Sequence, residues 1–314
     1  MVYVNKKYIE KLENLENTEG DTYINDHTYS SALLSAGCTI SCIDAIFKEK
    51  ICDNAFAIVR PPGHHCEHLK YQGFCFLNNV YLAYLHAKYN LGLKKIVIVD
   101  WDVHYGDGTY ELIKKDSDIL FFSLHRYEEK RFYPGSGDPT KIGEEEAKFT
   151  KANIGWNTTL SKWATSLSRV SDHEYFYAFQ NFIIPMIKEY GPELILVSSG
   201  FDSAENDPLG EIKLTPIGYS YMTNELKNIS KVVIVLEGGY NLDSLSRCSE
   251  SIFKTLIDIQ VPYKDILLIK DSILNNTKLD DIIKSKYFEP NYHIIEAVNT
   301  LIDQFKIKWK SLDS

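Results

Sequence analysis

Two histidines stand side by side at the end of Arg60-Pro61-Pro62-Gly63-His64-His65. Downstream come Asp100-Trp101-Asp102-Val103-His104 and then Gly200-Phe201-Asp202. Catalytic zinc takes three side chains from His, Asp and Glu and leaves one position for water. Asp102 and His104, two apart at a strand end, can point to one side, and Asp202 can complete the set from a neighbouring strand end. An isolated Asp-x-His pair is as readily a salt bridge or cap. The run Asp100-x-Asp102-x-His104-x-Gly106-Asp107-Gly108 is much rarer, because its acidic groups would repel one another without a cation or imidazole partners.

His64 and His65 read as a pair of acid-base groups, against the plainer reading of structural hydrogen-bonding residues. Each needs a carboxylate to fix its tautomer and tune its pKa. Asp100 and Asp107 are available, since neither is needed as a zinc ligand. Gly238-Gly239-Tyr240 puts a phenol on a glycine turn. It can stabilise an oxyanion, or it can be an ordinary rim aromatic, one of 21 tyrosines in the chain. The inventory is that of metal-dependent hydrolysis assisted by imidazoles.

Such groups must be brought together by a scaffold. Short β-branched runs at Ala55–Val59, Ile96–Val99, Ile119–Phe122, Leu194–Val197 and Val232–Leu236 suit strands buried on both faces. Helical segments alternate with them: Tyr29 to Glu49, Asn78 to Tyr89, Asp172 to Tyr190 and Tyr292 to Trp309. Pro185 is expected to kink the third. The alternation predicts an α/β fold, one open and mostly parallel sheet with helices on both faces. In such sheets ligands bind beyond the carboxyl ends of the strands. His64, Asp100, Asp102, Asp202 and Tyr240 all follow strands, so they are expected on one rim.

The 314 residues, with 25% charged, are globular in composition and long enough for one or two domains. A net charge of -9 disfavours direct nucleic-acid binding and favours basic peptides or polycations. No signal-like apolar region opens the chain, and no continuous apolar run reaches the ~18 residues of a membrane span. Cytoplasm or nucleus is therefore the expected compartment, with no membrane partner. The six cysteines contain no C-x-x-C pair and read as free thiols; Cys66 and Cys75, which flank the histidines, read as buried filler.

The chain resembles the zinc-dependent histone deacetylase family, of the arginase/deacetylase fold. The resemblance rests on R-P-P-G-H-H (60–65), G-F-C-F-L-N (73–78), D-W-D-V-H-Y-G-D-G-T (100–109) and S-L-H-R-Y (123–127). It continues through F-Y-P-G-S-G-D (132–138), S-S-G-F-D-S-A (198–204), D-P-L-G (207–210) and L-E-G-G-Y-N (236–241), in order, from about Tyr8 to the Trp309 region. The wording is closer to class II, and the IIb enzymes in particular, than to class I. The resemblance implies one deacetylase domain over 1–314 that hydrolyses acetyl-lysine to lysine and acetate.

It also implies roles. Asp102, His104 and Asp202 match zinc ligands. His65 matches the principal general base and acid beside His64, with Asp100 and Asp107 as their carboxylate partners. Tyr240 matches the tyrosine that polarises the amide carbonyl. Gly73, Phe74 and Tyr133 match the tunnel for the acyl-lysine stem, and Leu209 its rim. Asp100, Asp102, Ser123 and the carbonyls of His104 and Leu124 match a structural monovalent-cation site, usually potassium. Ile113, Asp116 and Ile119 fall near a second such site.

Departures from the family narrow the reading. The resemblance starts close to the first residue, so the domain is expected to be shortened at its N-terminus. Tyr133 stands where phenylalanine is common. Asp21 is the candidate for gripping the substrate backbone, with Asp26 behind it and an ordinary loop aspartate as the alternative. Acetylpolyamine deacetylases carry a glutamate where this chain has Leu209. Class IIa members carry histidine where it has Tyr240. A non-catalytic acyl-lysine reader or scaffold is the remaining alternative. Oligomeric state is not legible.

Overall fold

The computed structural model describes residues 5–15, 22–158, 170–259 and 292–313. Strands β1 (Ala55–Ala57), β2 (Ile96–Asp100), β3 (Ile119–Arg126), β4 (Lys151–Trp156), β5 (Leu194–Ser199) and β6 (Lys231–Leu236) form one sheet. Their order is β1-β6-β5-β2-β3-β4, and every pairing is parallel.

The alternation of side chains across the sheet explains the two helical layers. Val97 and Val99 of β2 and Leu120 and Phe122 of β3 point into one apolar cluster. Ile96, Ile98, Ile119 and Phe121 point into another on the opposite face. The first face is covered by α5 (Asp172–Ala178), α6 (Ile184–Tyr190), α7 (Pro216–Lys227), α8 (Leu242–Leu256) and the helix Tyr292–Phe305. The second is covered by α2 (Thr28–Phe47), α3 (Asn79–Tyr89) and α4 (Asp107–Ile113). With both faces covered, the middle strands are buried at every residue, which is why they read as continuous apolar runs. The short helix α1 (Lys6–Glu13) adds Tyr8 and Leu12 to a third cluster beside the histidine loop.

Several sequence expectations shift. β1 stops at Ala57, and Ile58 beyond it is 67% exposed. β4 was not expected, because Lys-Ala-Asn-Ile-Gly-Trp lacks a β-branched run; tertiary burial overrides its weak propensity. The stretch Asp172–Tyr190 is helical throughout, but one turn, Phe179–Ile183, widens to a π-helix directly before Pro185. Proline cannot donate to the ladder, and a widened turn accommodates its ring. α2 is long and apolar enough to cross a membrane by length and composition, although polar residues interrupt it. Here Ala32, Ala36, Thr39, Ile43 and Ile46 form its buried face. Asn78 caps α3 by accepting from Tyr81 N, and Thr215 caps α7 ahead of Pro216.

Candidate active site

The carboxyl ends of β1, β2, β5 and β6 deliver their following loops to one rim, as the alternation predicts. β2 ends in Asp100, and the turn after it carries Asp102 and His104. The main chain holds their carboxylates rigidly. Asp102 Oδ1 accepts from His104 N (2.8 Å), its Oδ2 from Gly238 N (2.9 Å), and Asp202 Oδ1 from Val103 N (2.9 Å). His104 Nδ1 lies 3.1 Å from both Asp102 Oδ1 and Asp202 Oδ2. One donor atom from each of the three falls within 4.8 Å of the others, a set that can hold a metal ion. Gly238 is required at its position, since a Cβ would run into Asp202 Oδ2.

Electrostatics favour a cation at this point. Burial and the Asp102 carboxylate push Asp202 up. His104 is driven up to about 10, because Asp102 and Asp202 outweigh the effect of burial. Two buried anions thus hold a proton on an imidazole whose Nδ1 faces both. A divalent ion can replace that proton, and zinc suits a set of two carboxylates and one imidazole.

His64 and His65 sit beside this cluster, 2% and 3% exposed. His64 Nδ1 is 3.0 Å from Asp100 Oδ2, and His65 Nδ1 is 2.7 Å from Asp107 Oδ1. Each imidazole thus meets one carboxylate, Asp100 for His64 and Asp107 for His65. Asp107 opens α4, and its second oxygen accepts from Gln72 Nε2 at 2.9 Å. His64 is pushed well above its usual range: burial opposes the charge, but Asp102, Asp100 and Glu237 outweigh it. His65 is pulled down to about 4 by burial and by His64, despite Asp107.

A cavity of about 290 Å³ opens onto these groups. Its lining includes His64, His65, Asp102, His104, Gly73, Phe74, Tyr133, Leu209 and Tyr240, while Asp100, Asp107 and Asp202 do not line it. Phe74 and Tyr240 meet edge to face at 6.4 Å, and Tyr133 meets His65 the same way at 5.1 Å. Gly73 has φ +53°, and a Cβ there would strike the His65 ring and the Tyr133 hydroxyl. The Tyr240 phenol is held well above its usual range by burial and by Asp202 and Asp102, so it keeps its proton and can donate. Ser123 faces Asp100 across the β2–β3 pairing and is followed by Leu124, both fully buried. Asp21 lies outside the described residues.

Four further residues shape the site, and sequence reasoning gave them no role. Phe132 stacks on His104 with centroids 5.2 Å apart, backing the imidazole. Glu237 is buried; its Oε2 accepts from Gly63 N (2.7 Å) and His64 N (3.1 Å), and its Oε1 from Ser198 Oγ. Asp207 accepts from Leu209 N and Tyr240 N, joining the two loops that carry them. Gln72 completes the Asp107 pair. Asp207 and Glu237 stand inside D-P-L-G and L-E-G-G-Y-N, but their role is to accept main-chain N–H groups, which spacing does not reveal. Cys66 and Cys75 are buried thiols held protonated by burial, consistent with filler.

A model described as the histone deacetylase domain matches residues 3–256. The chain is 39% identical to histone deacetylase HDA1 of Candida albicans, over 97% of this chain and 38% of that protein. It is 34% identical to the polyamine deacetylase HDAC10 of Danio rerio, over 92% of this chain and 42% of that protein. It thus spans well under half the length of these relatives. The crystal structure of the HDA15 HD domain superposes with a TM-score of 0.83 at 31% identity, covering 99% of this chain and 78% of that one. The fold is that of the arginase/deacetylase group, and the chain belongs to the histone deacetylase family.

Proposed function

We propose that residues 1–314 form one catalytic domain, a zinc-dependent protein lysine deacetylase of the class II kind. The observation that carries this reading is one cavity that gathers Asp102 and His104, two imidazoles with their own carboxylates, and the Tyr240 phenol. Zinc held by Asp102, His104 and Asp202 would supply a Lewis acid for the acetyl carbonyl and acidify a water.

The chain's own groups supply the rest. The aromatic walls of Phe74 and Tyr133 suit the apolar stem of lysine and exclude water around it. His65, neutral in its surroundings, is suited to take a proton from the attacking water. Tyr240 keeps its proton and can donate to the developing oxyanion. A protonated imidazole of the pair returns a proton to the lysine nitrogen, without which the amine is a very poor leaving group. Asp100, Asp102, Ser123 and the carbonyls of His104 and Leu124 would hold a potassium ion behind the site, where Asp100, Asp102 and Ser123 are all fully buried. The working compartment is cytoplasm, nucleus or both, with acetylated histone or non-histone proteins as substrates.

The test is acetate release from an acetyl-lysine peptide by metal-stripped protein, with and without restored zinc. Zinc-dependent release supports the reading. Release only from an acetylated polyamine moves the substrate class towards that named for the Danio rerio relative; Leu209, an apolar rim residue, argues for the peptide. Peptide binding without release, unchanged in Tyr240→Phe, is the outcome of a reader.

A further inference from the structure

Lys151, at the start of β4, is 0% exposed, the one lysine among the largest fully buried side chains described. Its Nζ donates to Asp116 O at 2.9 Å, Ile119 O at 2.7 Å and Thr150 Oγ1 at 2.7 Å. Asp116 and Ile119 are two of the three residues that the family resemblance puts near a second monovalent-cation site. We propose that Lys151 is a tethered cation: its ammonium binds the carbonyls that a potassium ion would otherwise bridge, and the chain takes no ion there.

The hydrogen count requires the charged form. The Thr150 hydroxyl spends its hydrogen on Ala147 O, at 2.6 Å, so it can only accept from Lys151. Asp116 O and Ile119 O can only accept. Three acceptors converge on one nitrogen, and only an ammonium has three hydrogens to give. Burial pulls Lys151 down to about 7, and the Asp116 carboxylate opposes that pull. A buried charge of this kind persists only when it is hydrogen-bonded on all sides, and this one is.

The consequence is mechanical. Asp116 lies in the turn that leads from α4 into β3 and Ile119 opens that strand, and α4 begins with Asp107, the partner of His65. A dissociable ion would make that turn depend on salt. A side chain covalently fixed to the adjacent strand does not leave. The proposal holds whatever the substrate, because it concerns the scaffold behind the site.

Crystals of the whole chain soaked in thallium, a heavy stand-in for potassium, test it directly. Wild type is expected to have no anomalous density between the Asp116 and Ile119 carbonyls and an ordered Lys151 ammonium there. Lys151→Gly opens the space and should gain a thallium peak. In solution, exchanging tetramethylammonium for potassium at equal ionic strength should raise the Tm of Lys151→Gly by a few degrees more than that of wild type. Thallium on those carbonyls in wild type, or equal potassium dependence in the two proteins, overturns the proposal. If the variant does not fold, the wild-type crystal alone decides.

Discussion

The rings of His64 and His65 lie 4.1 Å apart, yet their surroundings shift their pKa values in opposite directions. Burial opposes a charge on His64, but Asp102, Asp100 and Glu237 outweigh it and push its pKa well above the usual range. His65 has burial and the neighbouring His64 against it, which outweigh Asp107 and Asp102 and pull it down to about 4. Only a neutral imidazole can accept a proton. His65 is also the ring that meets Tyr133 and Gly73, the walls of the cavity. His65→Gln is therefore expected to lower kcat by about 10²–10⁴-fold, the usual worth of a general base. His64→Gln should lower it less. Steady-state kinetics on one acetylated peptide decides, and equal losses would remove the division of labour.

Glu237 holds the turn that presents both histidines. Its carboxylate accepts from Gly63 N, His64 N and Ser198 Oγ in a fully buried setting. Glu237→Ala leaves those donors without their acceptor, at about 1–3 kcal/mol for each one left unmade. Glu237→Gln keeps one oxygen for the two N–H groups, and Ser198 can turn to accept from the amide nitrogen. Denaturant unfolding should give a loss of several kcal/mol for alanine and a clearly smaller loss for glutamine. Equal losses would mean that the volume of the side chain matters and its oxygens do not.

Metal should stabilise the fold as well as serve catalysis. Asp102 and Asp202 are buried carboxylates that meet at His104, so ion binding relieves their repulsion only in the folded state. Zinc at about a thousand times its Kd should add roughly 4 kcal/mol of stability. Thermal unfolding of stripped protein with graded zinc reads this as a rising Tm. Asp202→Ala should unfold cooperatively and lose the rise. A Tm indifferent to zinc in wild type, with an intact fold, would argue against these three residues as the site.

The sheet was legible because strands covered on both faces show as unbroken apolar runs, and the rim was legible because each reactive residue follows such a run. β4 was not, since its stability comes from neighbours: Lys151 ends in an ammonium and yet is fully buried. The convergence of Asp102, His104 and Asp202 and of the two His–Asp pairs was legible because their chemistry restricts residue types. Glu237, Asp207 and Gln72 were not, because any carboxylate or amide reaching a main-chain or carboxylate partner can do their work. Which ones reach is decided by tertiary contacts across as many as 174 positions.

Acid should weaken the fold partly through His173, away from the cavity. It lies in the first turn of α5, and burial pulls its pKa down to about 4. A charge there would also oppose the positive end of the helix dipole. Its folded pKa is below the unfolded value near 6.5, so the unfolded chain binds the extra proton. The contribution is complete above that value and is lost as pH falls through 6.5 towards 4. Between pH 7.5 and 5 the loss is about 2 kcal/mol. His173→Gln removes the titrating group, so its Tm should fall less over that interval than the wild-type Tm. Parallel pH profiles for the two proteins would show that this imidazole is solvated enough to take its proton while folded.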